Sequence, residues 1–139
     1  MTSLPRSSAA ATLADRTLVL RIDGLRNLKG QIHLAVFSSA EGYPKDIRKA
    51  VRSGSFDADE NPLEIELPDL PYGKYAVTVH HDENMDGELN FNLLGIPTEG
   101  IGFSGNPPIW HGAPSFEKAA FEFREGHPIV TITMKYLLK

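Results

Sequence analysis

Lys74-Tyr75-Ala76-Val77-Thr78-Val79-His80-His81, KYAVTVHH, is the stretch on which the fold class turns. Tyr75, Val77 and Val79 recur at every second position, against the small or polar Ala76, Thr78 and His80. A period of two describes a strand with one face on a core and one towards solvent. The same period runs through TLVLRID (Leu18, Leu20, Ile22), GQIHLAVFS (Ile32, Leu34, Val36) and PLEIEL (Leu63, Ile65, Leu67). It returns in KAAFEFRE (Ala119, Phe121, Phe123) and PIVTITMKYL (Val130, Ile132, Met134, Tyr136). Six such runs, with a short seventh, predict an all-β protein: an antiparallel two-sheet β-sandwich of about seven strands. Only YPKDIRKAVR, residues 43–52, has helical spacing, with Ile47, Ala50 and Val51 on one face, and SFEKA suits a second short turn. One or two short helices cannot supply βαβ crossovers, which excludes a doubly wound sheet.

The chain has 139 residues, 41% hydrophobic and 23% charged, which suits one globular domain with a real core. The expected division is a flexible tail or leader remnant over residues 1–16, then a single sandwich domain over 17–139. A net charge of −4 with scattered Lys and Arg argues against a nucleic-acid partner. The chain has no cysteine, which excludes disulfides, thiol catalysis and Cys-based zinc sites. No run approaches the roughly 18 apolar residues of a membrane span. The Ala/Ser-rich start, MTSLPRSSAAATLADR, has too weak an apolar run for a clear export signal.

Leu70-Pro71-Tyr72-Gly73-Lys74-Tyr75 opens the KYAVTVHH strand and has the form of a turn feeding a tyrosine corner, with the Tyr75 hydroxyl bonding back to nearby backbone. Residues 82–118 are rich in Gly, Pro and Asn and read as one long loop, in which Trp110, Phe91, Ile96, Ile101 and Phe103 suggest packing onto the sandwich. Its aromatics, Trp110 and Phe103 above all, make residues 91–113 a candidate surface for a carbohydrate, peptide or protein ligand. GIGFSG, residues 100–105, spells a phosphate-loop pattern, but Pro107 and Pro108 stand where its helix should begin. Ser104 lacks a G-x-S-x-G setting, and Ser115-Phe116-Glu117-Lys118 is better read as a capped turn than as S-x-x-K chemistry.

The opening pattern from Leu20 to Gly30, the LPYGKYAVTVHHDEN block, Gly87 to Ser104 and the PSFEKAAF segment together resemble the bacterial domain-of-unknown-function family DUF2141. The resemblance covers about Leu18 to Tyr136. It implies a transthyretin-like or immunoglobulin-like β-sandwich, a periplasmic or secreted setting, and no established activity.

After the strand comes Asp82-Glu83-Asn84-Met85-Asp86-Gly87-Glu88-Leu89-Asn90, which fits the D-x-[DN]-x-[DN]-G opening of a calcium loop. Oxygens at alternate positions converge on one ion if the chain turns sharply, and Gly87 permits that turn. The expected donors are Asp82, Asn84, Asp86, the Glu88 carbonyl and Asn90. Leu93 stands where a bidentate Glu is required, so Glu99 is the expected recruit, with Glu83 or Asn92 as weaker ones. A site so short of carboxylates fits Ca2+ affinities on the order of 10⁻⁴–10⁻³ M. The plain alternative is consecutive turns whose side chains bond their own backbone. A hydrolase using His80 or His81 with Asp82 or Glu99 is the enzymatic alternative. His80 and His81 are adjacent on a strand and must face opposite ways, so only one can serve a given centre. His111 is a distant candidate to join them, while His33 and His127 read as ordinary hydrogen-bonded or exposed residues.

Overall fold

The computed structural model describes residues 16–88, 97–109 and 112–138. Its strands are β1 (Leu18–Asp23), β2 (Gln31–Phe37), β3 (Arg52–Asp57), β4 (Leu63–Leu67), β5 (Gly73–Asp82), β6 (Gly100–Phe103), β7 (Phe121–Phe123) and β8 (Ile129–Thr133). One sheet has the order β4-β1-β8, and the other runs β3-β2-β5-β6, with β7 pairing the start of β5. All six alternating runs of the sequence become strands, and the two-sheet sandwich stands. The N-terminal tail lies outside the described residues except for Arg16, whose carbonyl accepts a hydrogen bond from Leu70 N–H.

The alternation works as expected. Leu18, Leu20, Ile22, Ile65 and Ile132 of the smaller sheet meet Ile32, Leu34, Val36, Val77 and Val79 of the larger one in the central core. The Tyr75 hydroxyl donates to Pro71 O at 2.5 Å, which makes the tyrosine corner.

Four features depart from the sequence reading. β1 and β8 pair in parallel, so the sandwich is not wholly antiparallel. They lie at opposite ends of the chain, where no tight hairpin dictates antiparallel pairing. β3, RSGSFD, was hidden because Phe56 is its only large apolar residue, and a strand at a sheet edge needs little more. β6 falls inside the stretch with loop composition because Gly100 and Gly102 replace the apolar half of its pattern. A Cβ at Gly102 would come within 2.8 Å of Ile132 Cγ2, and one at Gly100 within 2.4 Å of the Tyr136 ring. The glycines are the inward face of β6, pressed flat against the opposing sheet. The helical spacing of residues 43–52 yields only a 3-10 turn at Ile47–Lys49, capped by Asp46. Ile47 and Val51 stay exposed, because the Tyr43 ring takes the packing position against Phe37 and Phe116.

A second core covers part of the outer face of the larger sheet. Ala35, Phe37, Ala76 and Phe103 lie beneath Ile109 and beneath helix α1 (Phe116–Ala119), which Ser115 caps. Tyr43 is bound into this layer through its hydroxyl, which donates to Pro114 O at 2.8 Å, and burial pushes its pKa up to about 12. Ser104 stitches the layer down. Its Oγ accepts from Val77 N–H at 2.9 Å and donates to Ala119 O at 2.5 Å. Ser104→Ala strands two buried backbone groups and should lower unfolding free energy by about 2 kcal/mol, read by urea denaturation. A loss below about 0.5 kcal/mol would show that the stitch is replaceable.

Candidate functional site

β5 alternates, so His80 and Asp82 share the outer face while His81 points into the sandwich. His81 is closed off there, its Nδ1 meeting the Tyr136 hydroxyl at 2.7 Å and its Nε2 the Lys29 carbonyl at 2.7 Å. Burial also pushes the Tyr136 hydroxyl's pKa up. Only His80 of the pair faces open space. Register then brings neighbours to it. His33 of β2 lies opposite His80, Ser55 of β3 opposite His33, and Glu99 stands one residue before β6, whose Gly100 pairs with His81.

The contacts form two linked chains. His80 Nε2 lies 3.0 Å from Glu99 Oε1, and Glu99 Oε2 accepts from the backbone N–H of Glu83 at 3.0 Å. His33 Nε2 lies 2.8 Å from Asp82 Oδ2, and His33 Nδ1 lies 2.7 Å from Ser55 Oγ. Gly87 N–H also donates to Asp82 Oδ2, at 2.8 Å. Because a carboxylate only accepts, both imidazoles carry their proton on Nε2 in this arrangement. Asp82 is 1% exposed and Glu99 5%. Two carboxylates so deep in a protein require partners. Ion pairing accounts for Asp82 Oδ2 and for Glu99. It leaves Asp82 Oδ1, which is buried and has no hydrogen-bond partner among the described residues. One ligand atom each from His80, Asp82 and Glu99 lies within 4.8 Å of the others.

Burial alone would raise the Asp82 pKa. The His33 hydrogen bond, the Gly87 N–H and the two nearby imidazoles outweigh it and hold the carboxyl below its ordinary value. Next to it, the Arg26 guanidinium forks onto both oxygens of Glu83 and holds that carboxyl low as well. Arg26 also stacks over the Tyr136 ring at 4.6 Å. The turn after β5 is therefore tied to the β1–β2 connection, where Arg26 resides.

Of the sequence-derived calcium donors, Asp82 and Glu99 come together. Asn84 and Asp86 are exposed and close onto the turn: Asn84 Oδ1 accepts from Asp86 N–H at 3.2 Å, and Asp86 Oδ1 from Glu88 N–H at 2.9 Å. Glu88 is exposed. Asn90, with Leu89, Phe91, Asn92, Leu93, Ile96, Trp110 and His111, lies outside the described residues. The calcium donor set read from the sequence omits His80, which enters there only as a catalytic candidate or as a distant zinc ligand with His111, and it gives His33 no role. The available signal was spacing: His80-x-Asp82 puts an imidazole and a carboxylate on one strand face. His33 needed the β2–β5 register, which the sequence does not print.

These groups edge a cleft of about 830 Å³ on the outer face of the larger sheet. Its floor includes His33, Ser55, Thr78, His80, Ile101 and Phe103. The volume is that of a small-molecule site, apolar with a few convergent polar groups.

A family model described as an uncharacterized protein conserved in bacteria, DUF2141, matches residues 20–131. The chain belongs to that family. The match spans β1 to the middle of β8 and takes in His33, Ser55, His80, Asp82 and Glu99. No curated protein and no solved structure matches the chain. Among the described residues, no helix is long and apolar enough to cross a membrane.

Proposed function

We propose that this member of DUF2141 is a divalent-metal-binding β-sandwich module, its ion held by His80 Nε2, Asp82 and Glu99. The observation that carries the proposal is the buried Oδ1 of Asp82, unpartnered among the described residues, on a side chain grouped with an imidazole and a second carboxylate. A cation supplies the missing partner, displaces the proton now shared by His80 and Glu99, and neutralises two buried negative charges.

The donor set bears on the ion. An imidazole with two carboxylates suits zinc and its transition-metal neighbours, whereas calcium takes six to eight oxygens. Calcium at the Asp82–Asn90 turn would share Asp82 and Glu99 with this site and add Asn84 and Asp86, whose side-chain oxygens keep acceptor capacity beside their backbone bonds. The ion would staple the end of β5 to the start of β6, across the segment between them. An exported setting is proposed on the family resemblance alone, and fractionation of cells of the native bacterium tests it.

Calorimetric titration of metal-stripped protein decides between ions. The expected result is one zinc per chain, bound at least about tenfold more tightly than calcium, with a melting temperature that rises by mass action. Tighter calcium than zinc, or zinc binding that His80→Ala leaves unchanged, overturns the reading.

A further inference from the structure

We propose that Ser55, His33 and Asp82 form a nucleophilic relay that gives the outer-face cleft a serine-hydrolase activity towards carboxylic esters with an apolar acyl group. The inference is separate from the metal proposal. It uses Asp82 through Oδ2, whereas the ion would take Oδ1.

The geometry has the three parts that nucleophilic catalysis by serine requires: a nucleophile, a base within reach of it, and a group that orients the base. Ser55 Oγ lies 2.7 Å from His33 Nδ1, and His33 Nε2 lies 2.8 Å from Asp82 Oδ2. Asp82 accepts the Nε2 proton, so the Nδ1 lone pair faces the Ser55 hydroxyl. Asp82 is itself fixed by Gly87 N–H. Exposure falls along the relay as its roles demand, from exposed Ser55 to half-buried His33 to buried Asp82.

Ser55 lies on an edge strand, with its neighbour β2 on one side only. Ala58 N–H donates to Gly30 O, and the antiparallel ladder alternates from there. The alternation turns the Ser55 backbone N–H away from β2, to the open edge, where it is available to a developing oxyanion. Ser55, His33, Ile101, Phe103 and Ile109 line the same cleft, which supplies an apolar bed for an acyl chain next to the hydroxyl.

In the first step Ser55 Oγ bonds to the ester carbonyl carbon and its proton passes to His33 Nδ1. Collapse of the tetrahedral intermediate breaks the bond to the alcohol oxygen, and the alcohol leaves with that proton. A water then attacks the acyl-serine and gives a proton to His33 Nδ1. Release of the carboxylic acid returns that proton to Ser55 Oγ. The only co-reactant is water.

The test uses the full chain, with and without added zinc, against a fluorophosphonate probe and against p-nitrophenyl octanoate and acetate. The expected results are covalent labelling at Ser55 by peptide mass spectrometry, and octanoate turnover exceeding acetate turnover. Ser55→Ala should remove labelling and lower kcat/KM on the order of 10²-fold or more, and His33→Ala should do likewise. Ser38→Ala, exposed and outside the lining of the cleft, should change neither. Ser55 is exposed, so its alanine variant should fold, and unchanged thermal melting checks this. No labelling, labelling at another residue, or turnover unaffected by Ser55→Ala each overturns the proposal.

Discussion

Asp82→Asn should weaken zinc binding on the order of 10²-fold or more, while leaving the stability of the metal-free protein within about 1 kcal/mol of the wild type. The loss should exceed the 10- to 100-fold typical of residues that only support a metal ligand, because it removes a charged ligand. Stability should hold because the asparagine carbonyl can replace Oδ2, accepting from His33 and Gly87 N–H. The new amide nitrogen falls at the place of Oδ1, which is buried and unpartnered among the described residues. The substitution removes both the burial cost of the charge and the His33 ion pair that offsets it. Calorimetric titration and urea denaturation in chelator give the two readouts. A variant that loses several kcal/mol in chelator would instead make Asp82 a structural residue.

Gly30→Ala should be the most damaging change in the fold, with a loss of about 3 kcal/mol or more. Gly30 sits at φ +68°, where a side chain is strained, and its Cβ would lie 2.0 Å from the Asp82 carbonyl oxygen and 2.8 Å from that of Glu83. These obstacles are backbone atoms at the end of β5 and cannot rotate away. Gly126→Ala is the control: φ is +83°, with nothing within 4 Å of the new Cβ, so only about 1 kcal/mol of backbone strain is expected. Gly30 also adjoins Gln31, which pairs with Asp82. Any Gly30→Ala protein that does fold should therefore have lost metal affinity too. Equal effects at Gly30 and Gly126, measured by chemical denaturation, would refute the close approach.

Sandwich architecture was legible wherever apolar residues alternated, from Leu18, Leu20 and Ile22 to Val77 and Val79. It was illegible in β3 and β6 for opposite reasons. β3 lies at an edge and needs little apolar surface, whereas β6 lies so close to Ile132 and Tyr136 that glycine replaces it. At the candidate site, a local pattern could find Asp82, and a missing oxygen in that pattern pointed to Glu99. His33 and Ser55 are contributed by strands whose pairing is set by the whole sheet. Nothing near either residue in sequence marks it. A search for alternating oxygens also passes over His80, because its contribution is a nitrogen on the other side of Asp82.

The most direct test of the metal site is a crystal grown from zinc-loaded protein, measured on both sides of the zinc absorption edge. One anomalous peak per chain is expected about 2.0–2.2 Å from His80 Nε2, with a carboxylate oxygen of Asp82 and one of Glu99 at similar distance. A peak held by Asn84, Asp86 and the Glu88 carbonyl without His80, or no peak with zinc in excess, would contradict that site.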